Sequence, residues 1–264
     1  MTTDNQSYST IDHLGRQIII PFPPKRIVSV VPSQTELLFD LGLAESIVGV
    51  TWFCIHPQEA KSKTQVGGTK NLKLEKISSL NPDLIIANKE ENDQGQIEWL
   101  ADRFPVWISD IKTITNALDM IMSVGDMTDK THEAGQIIQN IKNTFKELAP
   151  TRKIKTLYLI WKEPYMAVGS DTFIGHILEL CGLTNLAGKS NRYPEYSIDE
   201  LKALNPELIL LSSEPFPFKE KHLNELKIIL PNTEIKLVDG EMFSWYGSRL
   251  IAAGSYLKNF ISSL

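Results

Sequence analysis

Four side chains in the first half of the chain could do chemistry together. Cys54 and His56 stand two residues apart, and Glu90 and Glu91 are adjacent. In an extended loop, residues at i and i+2 face the same way, so a thiol and an imidazole would share one side. Together with Glu90 or Glu91 they form a donor set suited to a transition metal, or an axial ligand for cobalt or iron in a macrocycle. The expected metal set is therefore Cys54, His56 and Glu90. The bland alternative is a locally hydrogen-bonded His56 beside a solvated acidic pair. Cys54 and His56 are also the one nucleophile and base close in sequence, although a spacing of two is a poor predictor of a dyad.

Little else suggests catalysis or a structural metal. His13, His132, His176 and His222 are scattered, and the chain has no H-x-x-x-H or C-x-x-C spacing. A phosphate-binding glycine loop and a G-x-S-x-G elbow are absent too. Cys181, in the apolar run Ile177–Gly182, reads as a small buried hydrophobe. Two distant cysteines do not make a disulfide framework.

Binding is better supported than catalysis. Short apolar runs read as strands: Ile18–Ile20, Arg26–Val31, Ile47–Val50, Leu84–Ala87, Val106–Ser109, Thr156–Trp161 and Ile235–Val238. Helical patterns alternate with them, at Glu36–Leu41, Glu75–Leu80, Gln94–Phe104, Ile174–Leu180 and Ser248–Leu264. That alternation predicts an α/β fold with parallel sheets covered by helices. Ligands of such sheets gather beyond the carboxyl ends of the strands. The segments there are Pro32-Ser33-Gln34, Thr51 to His56, Asn88-Lys89-Glu90-Glu91-Asn92, Trp161 to Tyr165, Ser213 to Phe218 and Phe243 to Tyr246. Trp52, Trp107, Trp161 and Trp245 all lie in or beside them, which suits a large flat or greasy ligand. Lys162, Glu163, Glu214, Asp239 and Arg249 are the expected polar contacts from the second half, with Arg249 reaching a carboxylate or phosphate.

The chain also repeats itself. Leu74–Ile86 (LEKISSLNPDLII) returns as Ile198–Leu210 (IDELKALNPELIL), each copy a short helix, an Asn-Pro break and a buried strand. A repeat half a chain apart predicts two similar lobes with a ligand cleft between them. Between the copies, apolar residues recur at helical spacing, and Asp129–Lys146 reads as one connecting helix about 27 Å long. The expected division is an N-terminal lobe over 1–125, a backbone helix over 126–149 and a C-terminal lobe over 150–264.

With 264 residues, 42% of them hydrophobic, the chain can fill two modest cores. Its net charge of −5 offers no basic stripe for nucleic acid. No apolar run approaches the roughly 20 residues of a membrane span. Met1–Ser9 shows neither a basic n-region nor an apolar h-region, so either the chain as written is cytoplasmic or a leader is missing from it.

Arg26–Glu36, Gly67-Gly68-Thr69, Leu74–Ala87 and the long middle helix together resemble the helical-backbone substrate-binding proteins. These are receptors of ABC importers for vitamin B12, iron-siderophores and haem. The likeness runs from about Arg26 to Phe260 and is greatest to the B12-binding branch. It implies two lobes joined by a helix, no catalysis, no resident cofactor, a monomer, and a corrinoid or iron chelate held in the cleft. It implies a location outside the cytoplasm, in contrast to the missing leader. It also implies that Glu75 and Asp199, equivalent in the repeat, dock on an ABC permease, with Glu200 able to replace Asp199. In the ligand site, Pro32, Ser33, Gln34 and Gly68 match cleft positions. Phe53 and Tyr193 fall on aromatic clamp positions, whereas Thr69 and Asn88 stand where that branch has tryptophans and Trp245 where it has an arginine. Trp52, Cys54, His56, Lys89, Glu90, Glu91, Trp161, Tyr165, Asp239 and Arg249 complete the expected ligand set. Two alternatives follow from the residues: a cytoplasmic corrinoid or metal-chelate salvage protein without a transporter, and an enzyme using Cys54 and His56.

Overall fold

The computed structural model describes residues 6–150 and 153–264; Met1–Asn5, in the polar N-terminus, lie outside the described residues. The chain forms two units. One takes the chain through Asp110, Thr115–Ile141 and Tyr246–Arg249, and the other takes Ile111–Ile114, Lys142–Trp245 and Leu250–Leu264.

The first unit opens on a hairpin of β1 (Ser7–Ile11) and β2 (Gln17–Pro21), whose residues alternate in exposure. Only its Ile18–Ile20 core is legible as a strand, because β1 is short and polar. The turn is tied by Asp12, which accepts the N–H groups of Leu14 and Arg16 and the Arg16 guanidinium. Next come β3 (Ile27–Ser29), α1 (Pro32–Asp40), β4 (Ile47–Val50), β5 (Thr64–Gln65), β6 (Gly67–Gly68) and β7 (Asn71–Leu72). They are followed by α2 (Leu74–Ser79), β8 (Leu84–Asn88), α3 (Gln94–Ala101), β9 (Val106–Ser109), α4 (Ile114–Met127) and α5 (Thr131–Lys146). Strands run parallel in the order β5-β4-β3-β8-β9. All residues of β3, β8 and β9 are buried, which is why they read as continuous apolar runs rather than alternating ones.

The second unit holds β10 (Ile154–Trp161), β11 (Tyr165–Ala167), α6 (Phe173–Leu180), β12 (Leu183–Asn185), β13 (Glu195–Tyr196) and α7 (Ile198–Leu204). Its chain continues through β14 (Leu208–Ser212), α8 (Glu220–Ile229), β15 (Glu234–Val238), α9 (Glu241–Ser244) and α10 (Leu250–Ser262). Here β12, β14 and β15 join β10 as parallel strands, while β11 pairs antiparallel with β10 and β13 antiparallel with β11.

The sequence repeat is a repeat of bonds. Asn81 and Asn205 both take left-handed backbone, with φ of 44° and 47°, and each ends its helix before proline. The acid that follows then fixes the start of the neighbouring parallel strand, β3 in the first unit and β10 in the second. Asp83 accepts the N–H groups of Lys25 and Arg26 and returns its own N–H to the Arg26 carbonyl. Glu207 accepts the N–H of Lys155 and returns its N–H to the Lys155 carbonyl.

The connecting helix starts later than the sequence indicates. Asp129 adopts φ of 60°, and α5 begins at Thr131. Before the break, α4 and α5 pack so closely that a Cβ on Gly125 would come within 2.5 Å of the Ala134 methyl, which only glycine allows. The boundary between the units falls inside α5, after Ile141, and the second unit is not a contiguous C-terminal half, because Tyr246–Arg249 belong to the first.

Candidate functional site

In the first unit, the segment after β4 is a tight turn. The Cys54 N–H donates to the Thr51 carbonyl at 3.2 Å. This turn puts Trp52 and Phe53 outward, 48% and 56% exposed, with Ile55 exposed beside them. Their rings lie over β6: a Cβ on Gly68 would be 3.4 Å from Phe53 and 3.7 Å from Trp52. Lys73 Nζ sits 5.5 Å from the Trp52 ring centroid, a cation–π distance. Adjacent Thr69 offers its carbonyl to Asn92 Nδ2.

The same turn removes Cys54 from the surface. Its sulfur is fully buried, 3.1 Å from Thr35 Oγ1 and 3.2 Å from Thr51 Oγ1. Burial pushes the thiol up from its ordinary value. His56, two residues on, is only half-buried. The i, i+2 expectation assumed extended backbone, and the turn breaks it. Among the described residues, no group of three His, Cys, Asp or Glu side chains could hold a metal, so the set Cys54, His56 and Glu90 is not assembled.

Asn88 is also a framework residue rather than a ligand contact. It is 2% exposed; its Nδ2 donates to Ser109 O and Oγ, and its Oδ1 accepts the N–H groups of Glu90 and Glu91. Lys89 is paired with Asp110 at 2.7 Å. Glu91, half-buried, accepts the Tyr246 hydroxyl at 2.7 Å. Arg249, expected to meet a ligand anion, instead donates Nε and Nη2 to the two carboxylate oxygens of Glu36. Between these anchors, Gly247 lies against α1, with φ of 101° and its Cβ direction 3.1 Å from the Ser33 carbonyl. Residues 246–249 thus form a strap on the first turn of α1. Neither Tyr246 nor Glu36 was legible as a partner, because their pairings span 155 and 213 residues.

Pro32, Ser33 and Gln34 make that first turn, and all three are buried. Gln34 Nε2 donates to Ser109 Oγ at 2.5 Å. Val31 caps the helix with no side-chain bond, leaving first-turn N–H groups as donors.

In the second unit, Trp161 ends β10 and is 40% exposed, packed edge-on to Phe216 at 5.6 Å. Phe216 in turn meets Phe218 and His222. Lys162 is tied to Glu225 at 2.5 Å and lies 3.7 Å from Glu163. Tyr193 is half-buried, with the Arg192 guanidinium 6.0 Å from its ring. Tyr165 belongs to the core cluster with Leu159 and Phe218, and Trp107 is fully buried in β9; both are core, not surface. Trp245 is 8% exposed and donates its indole N–H to Glu214 Oε1 at 3.0 Å, an oxygen that Ser244 Oγ also reaches. Burial raises the Glu214 carboxyl above the ordinary range, the two donors only partly opposing it. Asp239 accepts the Glu241 N–H.

Glu75 is exposed in the first turn of α2, and Asp199 is exposed in the first turn of α7. Glu200 cannot replace Asp199 without cost, because its Oε2 accepts both the N–H and the hydroxyl of Ser197 in a capping box.

Parallel sheets with aromatic carboxyl-end loops define a binding-protein fold, and the comparisons agree. The chain belongs to the periplasmic binding protein family, which it matches over residues 27–227. It is 28% identical over 214 residues to the ABC transporter substrate-binding lipoprotein YvrC of Bacillus subtilis, covering 76% of this chain and 68% of that protein. It is 24% identical to the vitamin B12-binding protein of Pectobacterium atrosepticum, covering 91% of this chain and 90% of that one. Among solved structures, the periplasmic vitamin B12 binding protein BtuF of Vibrio cholerae superposes with a TM-score of 0.75 at 22% identity, over 92% of this chain and 98% of that one. The periplasmic heme-binding protein BhuT, solved with two hemes, gives 0.79 at 20% identity, over 90% and 98%. Among the described residues no helix is long and apolar enough to cross a membrane.

Proposed function

We propose that this chain is the substrate-binding component of an ABC importer and carries a corrinoid or an iron-chelate macrocycle. The observation that carries the reading is the family match over residues 27–227, joined to exposed Trp52 and Phe53 at a strand-end turn and exposed Trp161 at another. Large side chains exposed there leave apolar surface that a flat ligand covers. Delivery to the permease uses Glu75 and Asp199, and the protein acts as a monomer.

An enzyme built on Cys54 is disfavoured, since its thiol is buried beside Thr35 and Thr51 and burial pushes it up from its ordinary value, away from the nucleophilic thiolate. A salvage protein without a transporter is disfavoured by relatives that are transporter lipoproteins and periplasmic receptors. The test is a fluorescence titration with cobalamin, cobinamide, haem and ferric siderophores. Quenching of Trp52 and Trp161 by one of them, lost in Trp52→Ala, is the expected result. No response to any of the four overturns the reading.

A further inference from the structure

A buried imidazole in the second unit has a place that fits one protonation state only. His222 is 6% exposed and is the third residue of α8. Its Nδ1 accepts the Lys219 N–H at 3.0 Å. A backbone N–H can only donate, so Nδ1 carries no proton and the ring is neutral, with its hydrogen on Nε2. The bond is half of a capping box, in which a side chain at the third helical position reaches back to the N–H of the capping residue. Glutamate or glutamine ordinarily does this. Histidine makes the cap conditional, because an imidazolium has two donors and no acceptor.

The ring also supports its neighbours. It lies 5.2 Å from Phe216 and 5.7 Å from Phe218, and those two rings meet at 4.8 Å. Phe216 carries Trp161 edge-on and donates its N–H to the Ile160 carbonyl. One turn further along α8, Glu225 holds Lys162. The start of α8 therefore braces Trp161 through Phe216, and the residue after it through an ion pair. The charged groups facing the imidazole are Lys219, Lys221 and Glu225 from α8 and its cap, and Lys162 from the turn after β10. The loop before α8 meets it with Phe216 and Phe218. Burial first, then Lys221 and Lys162, hold the ring below the ordinary histidine value, and Glu225 opposes them only in part. The sign follows: the cap contributes fully above that ordinary value and is lost as pH falls through the folded one.

We propose that His222 is a pH-sensitive latch: as a neutral ring it caps α8 and backs Phe216, and on protonation it lets go of the Lys219 N–H and loosens the tip that carries Trp161. Its consequence for ligand binding rests on the reading of Trp161 given above; the latch itself does not.

The experiment first uses the whole chain with nothing bound. NMR follows the His222 ring and the Lys219 amide, and acrylamide quenching follows Trp161, with Trp161→Phe identifying its share of the fluorescence. As pH is lowered from about 8, all three should change together, with one midpoint below the ordinary histidine value of about 6.5. His222→Gln keeps an acceptor that does not titrate, so the acid step should vanish and Trp161 should stay protected. His222→Leu should leave Trp161 as accessible at neutral pH as acid leaves it in the parent. A Lys219 amide or a Trp161 signal that stays still while the ring titrates, an acid step that persists in His222→Gln, or a ring that stays neutral until the chain unfolds overturns the latch. Cobinamide and haem are then titrated on both sides of the step. The one that binds at neutral pH should weaken about fivefold below the step, the size of one helix cap, and not in His222→Gln. Unchanged affinity across a working latch overturns the part given to Trp161 in binding. No binding of either, nor of cobalamin or ferric siderophores, at neutral pH overturns the macrocycle reading and leaves the latch standing.

Discussion

Arg249 grips Glu36 with two parallel hydrogen bonds, Nε to Oε2 at 2.8 Å and Nη2 to Oε1 at 2.5 Å, across 213 residues of chain. Both side chains are mostly buried, 12% and 16% exposed. A fork-on-carboxylate pair of this kind is the strong form of an ion pair. Removing one partner strands a buried charge and should cost about 3 kcal/mol. Arg249→Met and Glu36→Gln should each lower the urea midpoint clearly, and the double variant should lose less than the sum of the two. Strict additivity in that cycle would show that the pair is not coupled.

The two Asn-Pro breaks should respond alike. Left-handed backbone costs an ordinary residue about 1–2 kcal/mol, and glycine escapes it. Asn81→Gly and Asn205→Gly should be tolerated, whereas Asn81→Ala and Asn205→Ala should each destabilise by about 1 kcal/mol. Thermal melts of the four variants check this.

Both cysteines should be silent in the folded protein. Cys54 and Cys181 are buried, and burial alone carries the Cys181 thiol up to about 12. A disulfide reagent at mildly alkaline pH should label neither until urea unfolds the chain. The sign of the linkage is fixed: a thiol raised in the folded state stabilises it below the unfolded pKa, and that contribution is lost as pH rises toward 12. Cys181→Ala should remove part of the alkaline loss of stability. Rapid native labelling of Cys54 would reopen its candidacy as a nucleophile.

Glu214 supplies a test on the acid side. Its folded carboxyl is raised by burial, so its contribution to stability is full below the ordinary carboxylate pKa and fades as pH rises through the folded value. Glu214→Gln keeps an acceptor for Trp245 and Ser244 while abolishing that dependence. The variant should be at least as stable as the parent at neutral pH. Any mildly acidic step in Trp245 fluorescence should disappear with it.

Docking should distinguish neighbours on α7. Asp199→Lys and Glu75→Lys should reduce co-purification with the permease. Glu200→Ala should leave docking intact but lower the melting temperature, since it removes the acceptor of the Ser197 capping box. Loss of docking in the Glu200 variant alone would reverse the assignment.

The duplicated architecture was legible because it is local. LEKISSLNPDLII and IDELKALNPELIL each encode helix, left-handed stop and buried strand within 13 residues. The site was legible only in part. Trp52, Phe53 and Trp161 are exposed at strand ends as expected, but Trp107, Tyr165 and Trp245 carry the same composition signal and are buried. Cys54 was misplaced because the bond from its N–H to Thr51 curls the loop that the spacing rule took as straight. The strap could not be read at all: Tyr-Gly-Ser-Arg before a helix looks like any lead-in, and its partners Glu91 and Glu36 lie far away in sequence.

The strap also bears on how the polypeptide is made and how it can be divided. Tyr246–Arg249 complete the first unit, and Leu250–Leu264, made after them, complete the second. Neither unit is finished until residues 246–264 have left the ribosome. No single cut yields two whole halves, so an expressed fragment ending before Tyr246 would lack Arg249's grip on Glu36 and the closing helix α10 at once.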